Sequence, residues 1–171
     1  IRGGAMTPMG VQKVLRMQTI AMENKLPYVQ LIESAGANLY RQSELFIDGG
    51  RTFANQARLS ALGLPVVGVT HGSSTAGGAY QSGLCDYIVV VRGRTKIFLA
   101  GPPLLKAATG EIATDEELGG AEMHHHVTGI GEYMAEGDAD GIRICREIVD
   151  KLGWNTGQIK VDTPSYKEPV Y

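Results

Sequence analysis

Apolar positions in this chain recur first at helical spacing, then in short unbroken runs, and each change of period is marked by small residues or proline. Thr7 and Pro8 open a helix, with Thr7 as N-cap and Pro8 at the first helical position. Val11, Val14, Leu15 and Met22 share one face, interrupted by Gln18. Met17 and Ile20 sit on other faces, which predicts burial on more than one side. Pro27 ends this element, residues 28–32 read as a short strand, and Glu33-Ser34-Ala35-Gly36-Ala37-Asn38 follows as a small-residue turn. Residues 41–62 are helical in composition, broken by Asp48-Gly49-Gly50. Residues 65–70 form a second, β-branched strand and residues 71–78 a tight turn, after which Ala79 starts a helix. Residues 86–91 and 95–99 are further strands, and residues 102–108 a short helix. The last helix is capped by Asp138, presents Ile142, Cys145, Val149 and Leu152 on one face, and stops at Gly153. Beyond Trp154 the chain turns polar and proline-containing, as a linker does. Strand–turn–helix recurs with buried strands, so the fold class is α/β.

Composition narrows the field. The 171 residues fit one domain, and a formal net charge of -2 lacks the basic excess of a nucleic-acid binder. No apolar run approaches the ~18 residues of a membrane span. Cys85 and Cys145 form no framework and no CxxC pair, so both read as small buried residues in a reducing compartment. Glycine stands out: 23 residues, about 13%, against about 7% on average. The glycines cluster in loops between apolar runs, where backbone can approach a ligand closely.

The strongest chemical signal is the turn that runs through Gly72-Ser73-Ser74-Thr75-Ala76-Gly77-Gly78-Ala79-Tyr80. A glycine pair opening a helix leaves backbone N–H groups free and unobstructed, and such fixed donors suit an oxyanion that develops during reaction. The same segment reads equally as a tight turn needing small residues for packing. It is not a P-loop, because the Gly-Lys-Ser/Thr ending is absent. Residues 72–76 match a nucleophile elbow except at the last position, so a serine hydrolase is a rival, with Ser74 as nucleophile and His124, His125 or His126 as base. The Ser34-Ala35-Gly36-Ala37 turn is a second signal. Two such turns on neighbouring parallel strands open on one edge of the sheet, where α/β proteins bind ligands. The three consecutive histidines cannot all face one metal ion and read as solvated loop residues or a packed one. Asp115, Glu116 and Glu117 suit the first turn of a helix. Arg92, Arg94 and Lys96 read either as a solvated hairpin or as contacts to the phosphates of a nucleotide-like ligand.

Taken together, residues 33–39, 72–80, 97–104 and 106–111, then Leu118-Gly119-Gly120-Ala121 with His124 and the helix of residues 138–149, resemble the N-terminal domain of the biotin-dependent acyl-CoA carboxyltransferases, the beta subunits of the acyl-CoA carboxylases. The Phe98-Leu99-Ala100-Gly101-Pro102-Pro103-Leu104 wording is most similar to the methylcrotonyl-CoA and geranyl-CoA branch. The resemblance runs from about residue 5 to residue 155 in one order. It implies a crotonase-like fold, a spiral of ββα units, with residues 1–155 as the acyl-CoA-binding domain and residues 156–171 as a linker toward a biotin-side domain. It implies an oxyanion hole from the backbone of Gly77 and Gly78, with Ala35, Gly36, Ala37, Thr75 and Ala76 against the substrate and no metal. The cofactor implied is biotin, arriving as carboxybiotin on a separate carrier. The implied partners are acyl-CoA, the biotin carboxyl carrier, the biotin carboxylase component and further copies of the subunit, in the cytoplasm or the mitochondrial matrix of a eukaryote.

Three departures qualify the resemblance. The family's usual Ser-Gly-Gly-Ala turn is Ser34-Ala35-Gly36-Ala37 here, and a methyl at Ala35 restricts positive φ. The biotin-side domain expected after Pro164 is not in the sequence, nor are the residues that ordinarily precede Gly4. The chain also has no Met-Lys-Met for biotin attachment. Beside carboxylation, the same fold supports a biotin-dependent decarboxylase or an enoyl-CoA hydratase or isomerase, for which Glu33 is the nearest carboxylate to a ligand-side loop. A subunit serving assembly alone is a further reading.

Overall fold

The β-branched runs pair into a single sheet with every strand parallel, in the computed structural model, which describes residues 4–154. The strands are β1 (Tyr28–Ser34), β2 (Val66–Thr75), β3 (Tyr87–Val91), β4 (Lys96–Phe98) and β5 (Tyr133–Ala135). Their order is β1-β2-β3-β5, with β4 pairing the far half of β2. The helices are α1 (Pro8–Asn24), α2 (Gln42–Ala61), α3 (Gly77–Gly83), α4 (Pro102–Thr109), α5 (Asp115–Gly119) and α6 (Asp138–Lys151), with a π-helical turn at Met123–Thr128. None of the described helices is long and apolar enough to cross a membrane. The linker read in residues 156–171 lies outside the described residues.

Alternation along the strands divides the core into two layers. Val67, Val69, Val89 and Val91 face α6, where Ile144, Cys145 and Ile148 meet them. Ile88 and Val90 face the other way and pack with Ala79, Ile97 and Ala121. Helices α1 and α2 close a further layer through Val11, Leu15 and Leu45.

Helix α1 starts as its sequence predicts, with Gly10 N donating to Thr7 Oγ1 at 3.2 Å. Gln18, the polar residue within the apolar face, is fully buried and donates through Nε2 to Thr52 O at 2.9 Å. It is a polar tie between α1 and α2. Met17, in contrast, is exposed, so α1 is buried on one side only.

Helix α2 runs unbroken through Asp48-Gly49-Gly50, against the expected break. Two helical glycines cost roughly 1 kcal/mol each relative to alanine. Burial of Leu45, Thr52, Gln56 and Leu59 and the Thr52 Oγ1–Gly49 O bond at 2.7 Å offset that cost.

Strand β2 also outruns its expected end at Thr70. It continues to Thr75, so most of the supposed tight turn is strand. Opposite β1 the register jumps, Ile32 facing Thr70 but Ser34 facing Ser74, and beyond this bulge β2 pairs with β4. Glycine and serine are poor strand formers, which hid this half from the sequence. A Cβ on Gly72 would stand 2.5 Å from Glu33 Oε1, so the exposed Glu33 side chain packs over the space that the glycine leaves.

Helix α6 is capped by Gly137 rather than Asp138, and it buries Gly141, Ile144, Cys145 and Ile148. Ile142 is exposed, while Val149 and Leu152 flank the core, so the buried face is rotated from the expected one. Gly141 lets α6 sit close to the sheet, since a Cβ there would reach Val69 Cγ1 at 3.0 Å. Strand β5, only three residues long, was not visible in the apolar pattern. The histidine run is helical rather than a loop, and it forms the π-turn.

Candidate functional site

The parallel pairing of β1 and β2 brings their C-terminal turns side by side. Ser34 Oγ accepts from Gly36 N at 3.1 Å and donates to Gly4 O at 3.3 Å, holding the first turn at the left-handed φ of 84° at Gly36. The second turn pivots on Ala76, whose φ of 53° and ψ of -117° match the first central position of a type II′ turn. Ala76 N is held by Phe98 O at 3.1 Å, and Ala76 O accepts from Ala79 N at 3.0 Å. Gly77 and Gly78 are the first two residues of α3, so their N–H groups have no acceptor within the helix.

Between the turns and α2 lies a cavity of about 600 Å³. Ala35, Gly36, Ala37, Ala76 and Gly77 line one side, and Leu45, Phe46, Gly49, Gly50 and Phe53 another. Of the seven expected site residues, Thr75 and Gly78 stand behind this wall. Thr75 ends β2, with its carbonyl oxygen 3.4 Å from the place of a Gly36 Cβ. Gly78 is buried against Ser34 and Ser74. The α2 residues of the lining were not foreseen: their only signal was the glycine pair, which reads as a break by propensity and as an opening by geometry. A Cβ on Gly49 or Gly50 would meet nothing within 4 Å. Among the described residues none of the lining side chains is ionisable.

The serine-hydrolase arrangement is not assembled. Ser74 is fully buried in β2, with its Oγ 3.3 Å from Ser82 Oγ. The strained apex that an elbow reserves for its nucleophile is occupied here by Ala76, which carries only a methyl. His124 Nε2–H donates to Ile97 O at 2.8 Å, His125 Nδ1 lies 2.6 Å from Gly131 O, and His126 pairs with Glu122 at 3.0 Å. Among the described residues no group of three or more His, Cys, Asp or Glu side chains could hold a metal ion.

The basic stretch is already satisfied: Arg92 pairs with Glu122 and Glu136, Arg94 with Asp138, and Lys96 with Glu116. Glu33 is exposed and lies beside Gly72, outside the cavity lining. The Cys85 thiol is pushed up to about 12 chiefly by burial, which leaves it protonated and unreactive near neutral pH.

Known proteins carry the same architecture. The beta subunit of Pseudomonas aeruginosa geranyl-CoA carboxylase superposes with a TM-score of 0.84 at 60% identity, over 100% of this chain and 32% of that one. Transcarboxylase 12S, solved with hydrolysed methylmalonyl-coenzyme A, superposes with a TM-score of 0.82 at 27% identity, over 87% of this chain and 29% of that one. These neighbours are carboxyltransferases of the crotonase-like fold, which is therefore the fold of this chain. A probable biotin-dependent acyl-coenzyme A carboxylase beta2 subunit of Mycobacterium tuberculosis is 50% identical over 90% of this chain. The methylcrotonoyl-CoA carboxylase beta chain of Dictyostelium discoideum is 48% identical over 100% of it. This chain spans 29% of the length of either relative. Residues 1–170 match the carboxyl transferase domain, and the chain belongs to that family.

Proposed function

We propose that this chain forms the acyl-CoA side of the carboxyltransferase in a biotin-dependent acyl-CoA carboxylase. The observation that carries this reading is the cavity lining, which joins both turns and, among the described residues, offers backbone polar groups but no ionisable side chain. Such a wall can polarise a thioester carbonyl through N–H groups, but it cannot itself take a proton. A hydratase or isomerase would need carboxylates there, and Glu33 lies elsewhere. A cofactor that brings its own base fits this lining. Biotin, delivered as carboxybiotin on a separate carrier, supplies both the carboxyl group and that base.

In this reading Gly77 and Gly78 direct their N–H groups at the thioester oxygen as it gains charge. Ala35, Gly36, Ala37 and Ala76 line the groove for the thioester, with Thr75 backing them, and the apolar wall of α2 takes the acyl chain and excludes water. Residues 1–155 act as the acyl-CoA domain and residues 156–171 as a linker toward a biotin-side domain. Similarity to geranyl-CoA and methylcrotonyl-CoA carboxylase subunits favours a branched, unsaturated acyl group. The partners are a biotin carboxyl carrier, a biotin carboxylase component and further copies of the subunit, in the cytoplasm or, in a eukaryote, the mitochondrial matrix.

Titration calorimetry of the assembled enzyme tests the reading. Acyl-CoA esters bind and the free acids do not. Equal or absent binding of both by folded protein would leave only an assembly role.

A further inference from the structure

Helix α3 is anchored to β2 by a pair of buried hydroxyls behind the cavity wall. Ser82 is fully buried, one helical turn after Gly78 and so on the same face of α3. Its Oγ lies 2.8 Å from Thr70 Oγ1, within normal hydrogen-bond range, and 3.3 Å from Ser74 Oγ, which is long for two hydroxyls. Thr70 is itself fixed in the sheet, its carbonyl accepting from Thr95 Oγ1, which in turn accepts from Val91 N at 2.7 Å.

Apolar packing on the buried face of α3 is slight. Of its seven residues only Gly78, Ala79 and Ser82 are buried, and beyond the Ala79 methyl the helix has the half-exposed Tyr80 ring, edge-on to Phe53 at 5.7 Å. From the opposite side Gln56 Nε2 donates to Gln81 O at 3.0 Å. The two polar pins hold α3 between β2 and α2.

We propose that Ser82, through its bond to Thr70, is a positioning residue that sets the rotation of α3 and thereby the direction of the Gly77 and Gly78 N–H groups. The inference rests on the reading of those groups as donors to the thioester oxygen.

The test is isotope-edited infrared spectroscopy of a 13C-labelled thioester carbonyl bound to the assembled carboxylase, beside steady-state kinetics. In the wild type the bound carbonyl stretch falls below that of free acyl-CoA. Ser82→Ala and Thr70→Val each give back part of that shift and lower kcat ~10-fold, with KM for acyl-CoA changed less than ~2-fold. Thr70→Ser keeps the hydroxyl, loses a methyl and stays near wild type on both measures. A role in packing alone reverses that order, because valine preserves the shape of threonine, and this reversal would overturn the proposal. A wild-type shift that survives intact in Ser82→Ala and Thr70→Val also overturns it, while leaving the donor reading standing. A wild-type stretch equal to that of free acyl-CoA removes the donor reading and this inference with it. Should Ser82→Ala not fold, the two Thr70 variants, which leave α3 untouched, decide the question.

Discussion

A methyl added to Gly36 would stand 3.4 Å from the Ala76 methyl, so the two cavity turns, forty residues apart in sequence, are in contact range. This proximity follows from parallel pairing: β1 and β2 end at the same edge, and each hands over to a turn with one residue at positive φ. In the first turn that residue is Gly36, and Ala35 is not at positive φ. The methyl at Ala35, which departs from the usual family turn, therefore imposes no backbone strain.

Strain sits at Ala76 instead. A non-glycine residue in such a sparsely populated conformation costs of order 1–3 kcal/mol, of which glycine recovers all but its own chain entropy. Ala76→Gly is expected to stabilise the protein by about 1 kcal/mol, seen as a higher denaturation midpoint at unchanged slope. A lower midpoint would mean that contacts of the Ala76 methyl outweigh the strain.

Much of this geometry was legible in the sequence because it depends on local chemistry. Thr7 and Pro8 fix a helix start, the valine runs fix β2 and β3, and Gly77-Gly78 fixes a helix opening. What was hidden depends on tertiary context. Gly49 and Gly50 stay helical because α1 packs alongside and Thr52 ties back to Gly49 O. Residues 73–75 stay extended because β4 offers them a partner. Ile144 rather than Ile142 is buried because Gly141 admits the sheet to that side of α6.

Gly49 and Gly50 set the depth of the cavity, since no atom stands where their side chains would go. Gly49→Phe is expected to fill that space and exclude the far end of a long acyl chain. Each buried methylene is worth about 0.8 kcal/mol, so losing contact with two or three raises KM for a long-chain acyl-CoA at least ~10-fold. A short acyl-CoA retains its KM. Parallel losses for long and short substrates would move the acyl site away from α2.

Ser74→Ala separates the carboxyltransferase reading from the hydrolase one. Ser74 Oγ is enclosed in β2 and, among the described residues, makes only the long contact to Ser82, so its removal should leave carboxylation within ~3-fold of wild type. Turnover abolished in a folded, substrate-binding variant would count heavily against the backbone-donor mechanism.

Alkaline pH should weaken the fold. Burial, with Cys85 nearby, raises the Tyr28 hydroxyl from 10.0 to about 12. Burial raises the Cys85 thiol from 9.0 to about 12, with Asp86 and Glu132 adding to it against a lowering bond from Gln30. Both groups are neutral when protonated and are held protonated more strongly in the folded chain. Their stabilisation is therefore complete below the unfolded values and is lost as pH rises from 9.0 toward about 12. Denaturation midpoints measured across that range should fall, and Tyr28→Phe should flatten part of the fall. An unchanged slope in Tyr28→Phe would remove that group from the account.

Gly78 is where the donor hypothesis meets its sharpest steric constraint. A Cβ there would stand 2.9 Å from Ser34 Cβ and 3.1 Å from Ser74 Oγ, whereas one on Gly77 would meet Phe53 Cζ at 3.4 Å, an ordinary contact. Any residue but glycine at position 78 must push β1 and α3 apart, so Gly77→Ala is no control for crowding at Gly78. The matched pair is Gly78→Ala and Gly78→Pro: both introduce the crowding Cβ, and only proline deletes the N–H. Isotope exchange at the acidic carbon of acyl-CoA reads the enolate step in the assembled enzyme. Loss of one oxyanion donor costs ~3–4 kcal/mol in the transition state, roughly a hundredfold or more in rate. Gly78→Pro should therefore exchange about a hundred times more slowly than Gly78→Ala. Binding of the uncharged thioester should differ much less between the two, because its carbonyl carries little charge before reaction. Equal exchange rates in two variants of equal stability would place the donor elsewhere along the turn, with Gly77 the first position to examine.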